Sequence, residues 1–328
     1  MNPVRNLCTI TLGVSNGVKR IVFFCILPLV LWGIGCSPTY PKEKLSASLT
    51  RLCKEEYGVD VSVQIVGKTI GVNVPLEKLF DSTLKLSPEV GDKLDGVILA
   101  TSRAVLSTDD PPDFYVVVAR DKRIPGIELK LIRYIQDIRR LSYGDLSRSE
   151  YTKRMLFEFG LGLGIFQEES DRFHLEEVKL GEFLANQIAQ RIKGHFEEEL
   201  DLKKETDVKS VQGEFITPPA GSRENGFGRF VVTLDVQKRG IDIWGRLGMA
   251  QEKRILEASL SVILEVLQGY RFSVFDSVEI KTPFLNHTFL LSRDVLELYR
   301  RKKIHLSELL LPNDFNFSPL DAELLLKK

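Results

Sequence analysis

One order of hydrophobic periodicities occurs twice along this 328-residue chain, and the repetition restricts the fold more than any other feature. In the first passage, residues 45–57 carry Leu45, Leu49 and Leu52 at helical spacing, and Gly58 supplies a terminator. Residues 59–65 (VDVSVQI) alternate apolar and polar side chains, the period of a half-buried strand. Gly67 and Lys68 turn the chain into a second strand, 69–76, that Pro75 should stop. Helical spacing returns over 92–106 through Leu94, Val97, Ile98 and Val105, until Asp109, Asp110, Pro111 and Pro112 break it. Residues 114–119 (FYVVVA) form a β-branched strand, and 127–141 read as a strand passing into a helix.

The second passage repeats that order. Leu180, Leu184, Ile188, Ile192, Phe196 and Leu200 fall four apart on a long amphipathic helix over 178–200. Strands follow at 208–216 and 229–236, separated by a Pro- and Gly-bearing loop over 217–228. Then come a helix over 252–267, strands at 275–281 and 287–291, and a helix over 292–301 capped by Ser292. The segment from Leu131 to Arg140 also matches the segment from Leu291 to Arg301 in side-chain type. The expected fold is α+β, with two tandem α-β-β-α-β units that read as an internal duplication. The first unit spans 45–157, a hinge 158–177, the second unit 178–311 and a C-terminal tail 312–328. Each is expected to be a small sheet covered by helices on one face, leaving its other face and its edges open. Such units resemble, in element order, the ring-building and BON-type modules of bacterial envelope machines.

The first 35 residues belong to neither unit. Arg5, Lys19 and Arg20 precede an uncharged run over 21–35 (IVFFCILPLVLWGIG). As a helix this run rises about 22 Å, short of the ~30 Å hydrocarbon core, and Pro28 weakens it further. A positive start, a short apolar core and a small-residue exit mark an export signal. The exit, Gly33-Ile34-Gly35-Cys36 followed by Ser37 and Pro38, resembles the lipobox of bacterial lipoproteins. That resemblance implies cleavage before Cys36, acyl chains such as palmitate on its sulfur, and a tether over 36–44. It places the mature chain in the bacterial cell envelope, on the inner or outer membrane.

Composition narrows the function classes. Lys and Arg number 45, and so do Asp and Glu, with no basic cluster of the kind that captures nucleic acid. Of four cysteines, Cys8 and Cys25 leave with the signal and Cys36 takes lipid, so Cys53 has no disulfide partner. Cys53 reads as a small buried hydrophobe on a helix.

One stretch has a family likeness of its own. Residues 72–89 (VNVPLEKLFDSTLKLSPE) lead through a helix to the strand ending Ala119-Arg120-Asp121. This resembles the opening of an OmpA-like peptidoglycan-binding domain. The resemblance implies that Asp121 and an arginine on the following helix grip diaminopimelate; Arg133 and Arg139 bracket that arginine's place.

Other chemistry is sparse. His174, His195, His287 and His305 are far apart, without the spacing of a metal site. Gly160, Gly162 and Gly164 lack the residues of a phosphate loop and read as a packed hinge. Glu197, Glu198, Glu199 and Asp201 read as the solvated end of a helix. The expectation is a non-catalytic lipoprotein without cofactor or metal that serves as scaffold or adaptor for another envelope protein. Peptidoglycan binding through Asp121 is the alternative, and an enzyme whose site converges only in three dimensions is the third reading.

Overall fold

The computed structural model describes residues 40–81, 83, 85–124, 126–161, 173–218, 226–239, 249–282 and 287–309. Cys36, the export segment, Gly162, Gly164 and the 312–328 tail lie outside them. The chain is α+β, as expected, with one five-stranded and one four-stranded sheet. Unit one contains α1 (Leu45–Tyr57), β1 (Ser62–Val66), β2 (Thr69–Leu76), α2 (Pro88–Leu106), β3 (Phe114–Asp121) and β4 (Ile127–Tyr134). It closes with α3 (Ile135–Ser142), α4 (Arg148–Lys153) and β5 (Leu156–Leu161). Unit two contains α5 (Leu180–Glu198), α6 (Leu200–Glu205), β6 (Thr206–Ile216), β7 (Arg229–Lys238) and α7 (Met249–Gly269). It continues with β8 (Ser277–Thr282), β9 (His287–Ser292), α8 (Arg293–Arg300) and α9 (Leu306–Leu309).

Local chemistry accounts for the boundaries. Gly58 ends α1 in the left-handed region at φ 65°. Ser87 caps α2 by accepting the Val90 N–H, with Pro88 in the first turn, and Ser292 caps α8 by accepting the Val295 N–H. Pro75 does not stop β2, which runs one residue further. β1 pairs no further than Ser62 opposite Asn73, so at Pro75 the strand has only β3 beside it. The absent N–H therefore leaves no ladder bond unmade.

The two sheets are wired alike. In each, an antiparallel hairpin (β1–β2, β6–β7) leads through a helix to a strand parallel to its second member (β3, β8). An antiparallel partner (β4, β9) then completes the four-strand order. An aspartate sits at the same node of both. The Asp113 N–H donates to the Lys68 carbonyl at 2.7 Å, and its own carbonyl accepts the Ile135 N–H at the start of α3. The Asp276 N–H donates to the Gly228 carbonyl at 2.8 Å, and its carbonyl accepts the Arg293 N–H at the start of α8. These contacts set Ile135 against Arg293, two residues away from the sequence match of Leu131 with Leu291. Helix starts follow strand pairing here, because the peptide groups at the strand ends must be satisfied whatever the side chains resemble.

One expectation about the sheets is corrected. Unit one is covered on both faces, not one. Tyr115, Val117 and Ala119 of β3 face α1 and α2, in a core with Leu49, Val97 and Ala104. Phe114, Val116 and Val118 face the other way, against Phe173, Leu175 and Phe183. The unbroken apolar run of β3 needs two apolar faces, unlike the alternating strands around it. Gly71 of β2 makes room for this second cover. A Cβ there would lie 2.7 Å from both Leu175 Cδ1 and Phe173 Cζ.

The same core runs on through α5 to Phe230, Val232, Leu234, Ile263 and Ile280 of unit two. Residues 158–161, expected in a hinge, lie in β5, and 173–177 lie against the first sheet. Residues 40–44, expected in a free tether, are fastened to unit one. The Tyr40 N–H donates to the Ser107 carbonyl, and Asp110 pairs with both Lys42 and Lys68.

Candidate functional site

The Asp121 carboxylate ends β3 and is buried. It accepts the backbone N–H groups of Leu79 (2.8 Å), Arg123 (2.8 Å) and Ile124 (3.0 Å). Burial alone would raise its pKa; the three N–H groups outweigh that and hold it below the ordinary value. Asp121 therefore staples the 79–81 turn to the end of the strand.

Neither arginine reaches it. Arg133 lies opposite Tyr115 in the β3–β4 ladder, six residues and about 20 Å along the strand from Asp121. Its guanidinium sits over the Tyr115 and Tyr151 rings and donates to the Tyr151 hydroxyl at 2.5 Å. Arg139 is half-buried on α3, which leaves β4 at that same far end. The aspartate–arginine clamp implied by the OmpA-like resemblance is not formed, because β4 runs antiparallel and carries both arginines away from the Asp121 end.

The remaining single residues are accounted for structurally. Cys53 is fully buried on α1, and burial, aided by Glu56, pushes its thiol up to about 11, so it carries no thiolate at neutral pH. His174 and His305 are exposed, and His195 faces Glu199 at 3.1 Å. No group of three His, Cys, Asp or Glu side chains among the described residues is placed to hold a metal ion.

The strand that sequence reasoning missed is the most informative. Residues 156–157 read as the end of the first unit and 158–161 as the start of a hinge, yet Leu156–Leu161 pairs antiparallel with β4 from Ile132 to Ile127 and forms the outer edge of the sheet. Its alternation was visible as Leu-Phe-Glu-Phe-Gly-Leu, but the glycines after it drew the reading towards a loop. Phe157 and Phe159 point to the α2 side of the sheet, past the cover of the helices, and stand 50% and 52% exposed. The Phe159 ring packs edge-on against Phe80 at 5.3 Å, so the pair forms a small aromatic ledge.

Leu156 and Glu158 point the other way, into a cleft of about 350 Å³ between the sheet and α5. Two ion pairs lie in its walls, Arg120 with Glu128 at 3.3 Å and Lys130 with Glu158 at 3.0 Å, and Glu176, Glu177 and Glu182 line it as well. Arg120 also lies 5.8 Å from the centre of the Phe173 ring.

Behind this edge a buried ionic group locks the two units. Asp137 of α3 pairs with Arg154 at 3.0 Å, and Arg154 also pairs with Glu150 at 2.8 Å. Glu150 bonds Arg191 of α5, which reaches Glu265 of α7. Arg154 donates to the Gly269 carbonyl, lies 4.6 Å over the Tyr270 ring, and has its own carbonyl bonded by Gln187. Burial raises the Asp137 pKa against the pull of Arg154. Phe114, Tyr134, Phe183 and Tyr270 form the apolar side of the lock, with ring centres 5.1 to 6.4 Å apart. No family model, no curated protein and no solved structure matches the chain.

Proposed function

We propose that this chain is a lipid-tethered adaptor of a bacterial cell envelope that holds a partner protein on the outer edge of β5. The supporting observation is that edge itself: a strand at the side of a sheet, carrying two half-exposed phenylalanines in register. The Phe157 N–H on the outer side donates to the Gln190 side chain of α5 at 3.1 Å; beyond it the outer side of the edge strand presents backbone donors and acceptors to a neighbour, and an extended segment of a partner adds there as a further strand. Phe157 and Phe159 then supply the apolar anchors, and the ionic lock behind β5 keeps the edge rigid. Acyl chains on Cys36 would hold the body close to the membrane. From Cys36 to the fastened Tyr40 the chain spans at most about 14 Å. The alternative of peptidoglycan binding lacks support in the geometry, since the Asp121 carboxylate is occupied by three backbone N–H groups.

The test is site-specific photocrosslinking in intact cells, with the crosslinker at position 157 and, as control, at Tyr143, which is 80% exposed on a turn. Capture of one protein species at 157 and none at 143 is expected. A Phe157→Ser/Phe159→Ser double variant should lose the partner while melting at the wild-type temperature. Equal capture at both positions, or none at 157, removes the docking role. Recovery of the wild-type chain in the soluble fraction without acyl groups removes the tether.

A further inference from the structure

A second concave surface lies in unit two, remote in sequence from β5 and independent of the adaptor reading. The C-terminal end of α7 and one side of α8 enclose a groove of about 440 Å³. Leu267, Phe272, Phe275 and Leu296 form an apolar floor. Arg271, Arg293, Arg300 and Arg301 stand around it, with Asp294 and Glu297 as the acidic residues of the lining. Glu297 is bound to both Arg300 and Arg301, which neutralises it in place. Arg293 and Arg300 lie seven residues apart on α8, about 10 Å along the helix axis. Arg293 is steadied by a 2.9 Å bond to the Ser273 carbonyl, and the exposed Lys302 and Lys303 follow Arg301 in the chain.

The backbone gives an independent sign that cations matter here. Both flanking helices end in the same six-residue closure. The Arg271 N–H donates to the Gln268 carbonyl and the Phe272 N–H to Leu267; likewise the Lys302 N–H donates to Tyr299 and the Lys303 N–H to Leu298. The fifth residue of each closure is left-handed, at φ 53° for Arg271 and 56° for Lys302. Glycine takes that place without strain, as Gly144 does at the matching end of α3 at φ 78°. Among the described residues only these two non-glycine side chains have positive φ; Arg271 lines the groove, and Lys302 directly follows the lining residue Arg301.

We propose that the groove binds a single-chain amphiphile with an anionic head, its chain on the apolar floor and its head between Arg271 and Arg293. The volume is that of a small-molecule site. A protein partner would need on the order of 800 Å² of contact on its side, more than this hollow offers. An apolar floor has no use for a bare inorganic anion. Guanidinium groups match carboxylate and phosphate heads alike through paired N–H donors.

Calorimetric titration of the full chain tests this with a long-chain fatty acid, a lysophosphatidic acid, the matching fatty alcohol, inorganic phosphate and phosphatidylglycerol vesicles. Saturable one-to-one binding of one or both single-chain anions, with the alcohol and phosphate far weaker, is the expected result; the tighter anion identifies the head. Arg271→Gly should weaken that binding by about tenfold or more while the melting temperature holds or rises, because glycine relieves the left-handed backbone. Arg293→Gln should weaken it similarly. Alcohol binding as tight as the acids, phosphate alone binding as tightly, binding to vesicles only, no binding, or wild-type affinity in both variants each overturns the proposal.

Discussion

Helices α3 and α8 occupy the same place in the two units. Each follows its strand without a break and donates its first N–H to an aspartate carbonyl, and each closes on the same pair of carbonyl bonds. Yet they face opposite tasks. Set against each other from Ile135 and Arg293, the buried Asp137 of α3 meets the buried Val295 of α8, and Ile138 meets Leu296. In unit one the polar residue draws Arg154, Glu150 and Arg191 into the lock with unit two. In unit two the apolar residue leaves α8 without such a lock, and its arginines stay at the surface around a groove. Gly144 and Lys302 differ in the same sense: the locked helix ends on the relaxed residue, and the open one ends on a strained cation. One backbone frame thus supports a structural joint in one copy and an exposed charged surface in the other.

Replacing Asp137 by its counterpart tests this most severely. Asp137→Val leaves Arg154 buried without its main-core partner and should destabilise the chain by about 3 kcal/mol in urea unfolding. The double variant Asp137→Val/Arg154→Met should recover most of that loss, since an apolar pair replaces an ionic one at little net cost. A single variant losing less than about 1 kcal/mol would mean that the joint rests on the rings of Phe114, Tyr134, Phe183 and Tyr270 alone.

Exchanging the helix ends probes a smaller effect. Gly144→Lys meets no atom within 4 Å of the new Cβ, so only left-handed strain acts, and a loss of about 1 kcal/mol is expected. Lys302→Gly should gain up to about 1 kcal/mol by the same measurement. Equal and small changes in both would erase the contrast between the two closures.

The smallest effect is electrostatic. Glu297 is held at about 2, from 4.5, by its bonds to Arg300 and Arg301. A depressed folded value stabilises the fold above the unfolded pKa, and the contribution fades as the pH falls through about 2. The group is 38% exposed, so solvent screening keeps this to a fraction of about 1 kcal/mol. Carboxyl titration by NMR should place Glu297 near 2, and a value near 4.5 would show the arginines free of it.

Much of the fold was legible. Leu45, Leu49 and Gly58 announced α1, Ser292 announced the cap of α8, and the alternation in 59–65 announced β1, because these signals are settled by near neighbours in the chain. The candidate site was not legible to the same degree. β5 was hidden by the glycines that follow it, and its pairing with β4 depends on a partner more than twenty residues back. The Asp121 clamp failed for a related reason: spacing along the chain does not show which end of an antiparallel pair an arginine occupies.

By itself, the sequence determined the order of helices and strands, their main caps and terminators, and the recurrence of that order in two halves, all short-range consequences of periodicity and backbone preference. Tertiary structure alone decided that the first sheet is covered twice and that Asp137 and Arg154 meet in the interior. It likewise decided that Phe157 and Phe159 stand on the outermost strand of the first sheet, and that four arginines gather around one groove. Those outcomes depend on which surfaces lie against each other across long stretches of chain, and burial, desolvation and pairing act only once they do.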